Sequence, residues 1–292
     1  MGNIMEESNT LTLKRFVALA VIAIWVVFAM APLVWLFMSS LKTRLDLFSM
    51  PPKFIFKPTL HGYEALFITT YADGTRKVSE IIGTMFNSVL IAGMGTILAV
   101  ALGTMSGYAA SRFEFKAKGD FMFFVLSTRM LPAVAVLVSF HIMYARLGLA
   151  DTRFGMILLY ILVNIGLATW IMKGFFDGVP KDLEEVALVN GYSRFWAFRK
   201  LVLPMVKGGI AATTGFCFIF AWNEFTFASI ITTTRAKTLP VRISAALGKE
   251  GLDWAMVAAA GILLIIPIVV LFYLIRKHLL MGMTFGVLGK KE

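Results

Sequence analysis

Six stretches of this chain are too long and too apolar to sit inside a water-soluble domain. Residues Phe16–Met38 give 23 positions without a charge, Ile81–Ala110 give 30, Phe154–Met172 give 19 and Trp254–Ile275 give 22. Phe121–Ala145 are interrupted only by Arg129, and Gly208–Thr234 only by Glu224. A helix needs about 20 predominantly apolar residues to cross the hydrocarbon core of a bilayer. The alternative is a large soluble core of buried helices. A soluble domain has roughly 25% charged residues, whereas 15% of these 292 are charged. The expectation is therefore an all-α integral membrane protein with six spans.

The first block has Lys14 and Arg15 ahead of it and Ala29-Met30-Ala31 within it, which resembles a signal peptide and its cleavage site. The apolar run continues through Trp35, Leu36 and Phe37, and Pro32 follows the would-be cut at once. We read a retained helix. Cys217 is alone, and His61, His141 and His278 are scattered, so neither a disulfide framework nor a histidine metal site is expected.

Six spans place both termini on one side. Counting Lys and Arg gives 15 on the terminal side and 12 on the other. Positive charge favours the cytoplasm, so this thin margin points to cytoplasmic termini. The net charge of +11 is spread over both faces, which does not suit a nucleic-acid footprint. The expected organisation is a cytoplasmic N-terminal segment at 1–15, polar and disordered or surface-lying over 1–13, a six-helix region at 16–275 and a cytoplasmic tail at 276–292. Asp73-Gly74 signals a turn in the long outer connection, and Pro132 and Pro267 should kink their spans. Gly103 and Gly107 have the spacing that lets helix backbones approach closely.

The connection at 173–207 carries the functional inference. Pro180 suits a first helical position and Gly191 the residue past a helix end. Asp182, Glu184 and Glu185 lie where acid favours the helix dipole. Leu183, Val186 and Ala187 share one face. Ser193 can cap a second helix, which Pro204 should end. A short amphipathic helix projecting from a membrane protein must bury its apolar face in lipid or in a partner's groove. The acidic run disfavours an anionic membrane surface.

Glu185, Ala187, Gly191, Leu203 and Pro204 resemble the "EAA" loop of bacterial ABC-importer permeases, with Val186, Asn190 and Leu201 as departures. Other stretches are similar to the maltose- and polyol-type carbohydrate permeases. They are Phe54–Leu60 with Tyr63, Asn87-Ser88, Ser127–Pro132, Lys173–Phe176, Ala221–Phe225, and the tail Gly282–Gly286 with Gly289. The resemblance implies an ABC type I importer permease of the bacterial inner membrane with both termini cytoplasmic. It implies that Glu184, Glu185, Ala187, Asn190, Gly191, Leu203 and Pro204 form a coupling loop docking on an ATPase. It implies that Gly282, Thr284, Gly286 and Gly289 contact the ATPases too. The partners implied are a second homologous permease, two ATPase subunits, an extracytoplasmic sugar-binding protein and the lipid bilayer. ATP and Mg belong to the ATPases, and this chain binds no cofactor. It has no G-x-x-x-x-G-K-[ST] phosphate cradle, since Thr284 and Lys291 stand where that motif needs Gly and Ser/Thr.

Two charges lie inside expected spans. Glu224 with Trp222 and Asn223 offers an aromatic face, an amide and a carboxylate, groups that suit a sugar in a translocation path. The bland reading is a hydrogen bond that holds the helices together. By helical rise Glu224 lies roughly 24 Å from the cytoplasmic end of its span and Arg129 roughly 12 Å, so a pair between them is open but not favoured. An ion-coupled secondary transporter is the alternative function, although no internal repeat is seen. An intramembrane protease is a distant third, since Ser193 lies in the soluble loop.

Overall fold

The structure is a computed structural model that describes residues 2–70, 73–249 and 253–288, with side chains for 14–69, 73–245 and 253–278. Among the described residues, five helices are long and apolar enough to span a bilayer, and a bent pair makes up to six. The chain divides into two compact units, residues 1–79 with 247–263 and residues 80–246 with 264–292.

The first unit begins with α1 (Gly2–Ser40), so the 2–15 segment continues the first span as helix instead of standing apart from it. Two short helices follow, α2 (Arg44–Leu47) and α3 (His61–Phe67). The Asp73-Gly74 turn closes a hairpin of β1 (Ile68–Thr70) and β2 (Arg76–Val78), antiparallel with Ile68 opposite Val78. Asp73 accepts from the Thr75 N–H at 2.9 Å, and Gly74 takes φ +80°. The Lys42 ammonium lies 4.5 Å from the Trp35 ring centre and 5.1 Å from that of Phe56. The unit ends with the first residues of α14 (Trp254–Leu288), just before which Asp253 meets His61 at 3.1 Å.

The second unit is built on α4 (Ile81–Arg112) and α7 (Arg153–Asp177). Their contact is a ladder of small residues. A β-carbon on Gly95 would fall 2.7 Å from Tyr160 Cβ, one on Gly103 2.3 Å from Ala168 Cβ, and one on Gly107 2.8 Å from Lys173 N. The expected close approach at Gly103 and Gly107 is therefore real, and Gly95 extends it. Helix α11 (Lys207–Trp222) packs on both, with Val100, Ala168 and Cys217 buried together.

The third and fifth apolar blocks differ from expectation. Pro132 bends the third span as expected, but by 92° and with a break that divides it into α5 (Lys118–Met130) and α6 (Ala133–Arg146). Pro132 lacks a donor, and proline holds the preceding Leu131 out of the helical region, at ψ 122°. The fifth block divides into α11 and α12 (Thr226–Ile231), because the chain leaves the helix at Asn223–Phe225, and α13 (Leu239–Lys249) follows it. The last block runs on as α14 through Leu288 with Pro267 inside it, so 276–288 is no separate tail.

Candidate functional site: the coupling loop and its anchor

The 178–206 segment folds as α8 (Asp182–Val189), α9 (Arg194–Ala197), one wide π turn (Phe198–Val202) and α10 (Leu203–Met205), which leads into α11. Each boundary has a local cause. Gly191 takes φ +86°, a left-handed conformation that glycine adopts without strain. Its N–H donates to Leu188 O at 3.0 Å, and the Tyr192 N–H to Ala187 O at 3.0 Å, closing α8 with the paired bonds of a glycine C-terminal cap. Ser193 Oγ accepts from the Trp196 N–H at 3.2 Å and starts α9, as expected. Pro204 does not end the second helix. It lies in the first turn of α10, where its missing N–H costs little.

The two faces of α8 separate cleanly, but not along the expected line. Ala187 and Glu184 point inward, whereas Leu183 and Val186 are exposed. Glu184, counted with the docking surface on sequence, is turned into the protein. Its carboxylate accepts from Arg112 Nε and from the Tyr108 hydroxyl. The outward strip continues through Val189, 88% exposed, Tyr192 and Phe195, 69% exposed. Tyr192 and Trp196 stack with ring centres 4.0 Å apart. Glu185 and Asn190 are also exposed, and Asn190 Nδ2 donates to Val186 O at 2.7 Å. Leu203 is half-buried and Pro204 exposed. Beneath the loop, Tyr108, Met172, Phe176, Val179, Val202 and Val206 form a buried cluster.

The in-span candidates are placed differently from their sequence reading. Trp222 is buried, its indole N–H donating to Leu264 O at 3.0 Å, so its ring offers no face for a ligand. Glu224 accepts from the Phe227 and Ala228 N–H groups at 2.8 and 3.0 Å, capping α12, and Tyr160 Oη lies 3.5 Å away. Arg129 donates to Val163 O at 2.9 Å, and its guanidinium stands 4.4 Å over the Phe220 ring. Glu224 and Arg129 therefore do not pair. Asn223 is exposed, its amide donating to Ile219 O at 2.9 Å. Gly282, Thr284 and Gly286 lie on the last turns of α14, and Gly289 falls outside the described residues.

One anchor had no local signal in the sequence. Asp151, at φ +53°, sits between α6 and α7. Its carboxylate accepts from the N–H groups of Thr233, Thr234, Arg235 and Ala236 at 3.0 to 3.1 Å and from the Thr233 and Thr234 hydroxyls at 2.9 Å. Asn87 Nδ2 holds the carbonyls of Arg235 and Lys237 in the same segment. Partial burial raises the Asp151 pKa, but the N–H groups of Arg235, Ala236 and Thr233 outweigh it and hold the carboxyl well below its ordinary value.

This helical architecture is that of ABC-importer transmembrane subunits. One solved relative is a bacterial ABC transporter involved in the import of the acidic polysaccharide alginate, with TM-score 0.71 and 18% identity over 90% of this chain and 95% of that one. Residues 99–284 match the family described as binding-protein-dependent transport system inner membrane component, and the chain belongs to that family. It is 33% identical over 255 residues to a probable ABC transporter permease protein, y4oR, of Sinorhizobium fredii, covering 87% of this chain and 88% of that one. It is 29% identical over 280 residues to the trehalose/maltose transport system permease protein MalG of Thermococcus litoralis, covering 94% and 97%. The chain is thus a multi-pass inner-membrane permease subunit of an ABC importer, and ATP hydrolysis in such a machine takes place on a partner subunit.

Proposed function

We propose that this chain moves a sugar or sugar alcohol inward across the bacterial cytoplasmic membrane, driven by ATP and Mg bound to two partner ATPase subunits. The names of its relatives support the sugar class. It pairs with a second homologous permease and receives cargo from an extracytoplasmic binding protein, with both termini cytoplasmic. The observation that carries the reading is the strip Leu183, Val186, Val189, Tyr192 and Phe195, exposed on a loop whose inner face is fixed by a buried ion pair. Such a strip suits a groove on a partner. The end of α14 at Gly282, Thr284 and Gly286, with Gly289 after it, makes a second contact with the ATPases. In the path, Asn223 and Arg129 are the candidates left to meet cargo. Trp222 and Glu224 set the shape of the fifth span.

The test is Val186→Asp, with Gly191→Asp beside it, in the assembled transporter. Both variants should insert normally yet lose the ATPase subunits on purification. Retention of those subunits by both variants refutes the docking reading. Uptake that persists without ATP and collapses with an ionophore would move the chain to the ion-coupled class.

A further inference from the structure

The link between α8 and its unit runs through one guanidinium. Arg112 is the last residue of α4. Its Nε donates to Glu184 of α8, its Nη1 to Phe176 O at 2.9 Å and Ser111 Oγ at 3.1 Å, and its Nη2 to Val179 O at 2.9 Å. Those two carbonyls belong to the end of α7 and the turn after it. The second Glu184 oxygen accepts from Tyr108, one turn back in α4. The Arg112 and Glu184 side chains are 4% and 7% exposed. Ser111 in turn donates to Asp177 Oδ1 at 2.7 Å, at the end of α7.

Stability alone does not account for this arrangement. A buried ion pair is often no better than well-packed apolar residues of the same volume. What arginine adds is a planar fork with fixed donor directions. Here the fork joins three helices at one point. It neutralises a carboxylate in the first turn of α8 and satisfies carbonyls at the C-terminal end of α7, where a cation is favoured. Behind it, α4 and α7 approach so closely at Gly95, Gly103 and Gly107 that a β-carbon on any of them would clash with α7.

We propose that Arg112 and Tyr108 are positioning residues for energy coupling: they lock α8 to the ends of α4 and α7, so that the three helices move as one body when the loop is displaced. The inference rests on α8 being the ATPase-docking helix. Bending at the α8 junction would strand the Glu184 carboxylate or two carbonyls in a buried site, which the closed network opposes.

The experiment uses the whole transporter in lipid nanodiscs, with spin labels at Lys181→Cys, next to α8, and Met105→Cys, on the exposed face of α4. Cys217 is fully buried and stays in place. The label separation is measured without nucleotide and with ATP·Mg. In the otherwise native chain it should not change. In Arg112→Lys, and to a lesser degree in Tyr108→Phe, ATP should shift it by about 2 Å, the size of interhelical displacement such switches use. A purely stabilising role would lower the melting temperature and leave ATP without effect on the separation, which overturns the proposal. So does a separation that already changes on ATP binding in the native chain. Loss of the docking reading shows elsewhere, as ATPase retention by Val186→Asp.

Discussion

Gly103→Ala is the smallest change that should damage the permease from the inside. The added carbon falls 2.3 Å from Ala168 Cβ and 2.9 Å from both Ala168 C and Thr169 N. Ordinary contact begins at 3.4 Å, so α7 must withdraw by about 1 Å from α4. A gap of that size forfeits roughly a quarter to a half of the dispersion attraction of the atoms lining it. Overpacking costs about 1–3 kcal/mol, and the upper end applies because backbone and Cβ atoms cannot rotate aside. A loss of about 3 kcal/mol is roughly a hundredfold in the folding equilibrium. Gly93→Ala in the same helix is the control, since a β-carbon there meets nothing within 4 Å. Both variants are purified in detergent and unfolded side by side, by heat and by denaturant. Gly103→Ala should unfold far earlier than the parent, with Gly93→Ala unchanged or slightly later. If the two variants agree within about 0.5 kcal/mol, the reading of α4 and α7 as backbone-close helices is wrong.

Asp151→Ala strips four N–H groups of their acceptor and should cost about 1–3 kcal/mol, read as faster hydrogen exchange at 233–236. Because the folded carboxyl has a lowered pKa, its stabilisation is fully present above the ordinary carboxylate range and is lost as pH falls through the lowered value; protection at 233–236, taken relative to the intrinsic exchange rate at each pH, should therefore stay flat from neutral down to mild acid and fall only in strong acid. Glu224→Ala should destabilise by a similar amount through the uncapped N–H groups of Phe227 and Ala228, whereas exposed Asn223→Ala should change stability by less than about 0.5 kcal/mol while altering uptake. Equal thermal shifts for those two variants would return Glu224 to the translocation path.

Local patterns carried the helices and the loop caps. Apolar runs are sequence-local, so the spans are legible, as are the Gly191 turn, the Ser193 cap and the Asp73-Gly74 turn; the two short strands that flank that last turn are not. The faces of α8 are not legible, because helical spacing marks which residues share a side, not which side meets the protein. A buried glutamate on that side needs a partner, and Arg112 lies 72 residues away with nothing local to announce it. Pro204 reads as a stop because its ring clashes within a helix, but after a π turn it lies in the first turn of a new one. In the fifth block Glu224 looked functional for being charged and apart. Its carboxylate is consumed by a break in the helix that composition does not reveal.

The Asp151 clasp also bears on how this permease can be recombined with its relatives. Four consecutive amides converge on one carboxylate, so the 233–236 stretch has a set length, and an inserted or deleted residue there would empty the clasp. The stretch is nonetheless a surface connection of the kind where grafts are usually placed. A chimera that exchanges the second half of the fifth span should therefore bring the turn around Asp151 from the same donor. A seam drawn between 153 and 226 would divide one folding element between two parents.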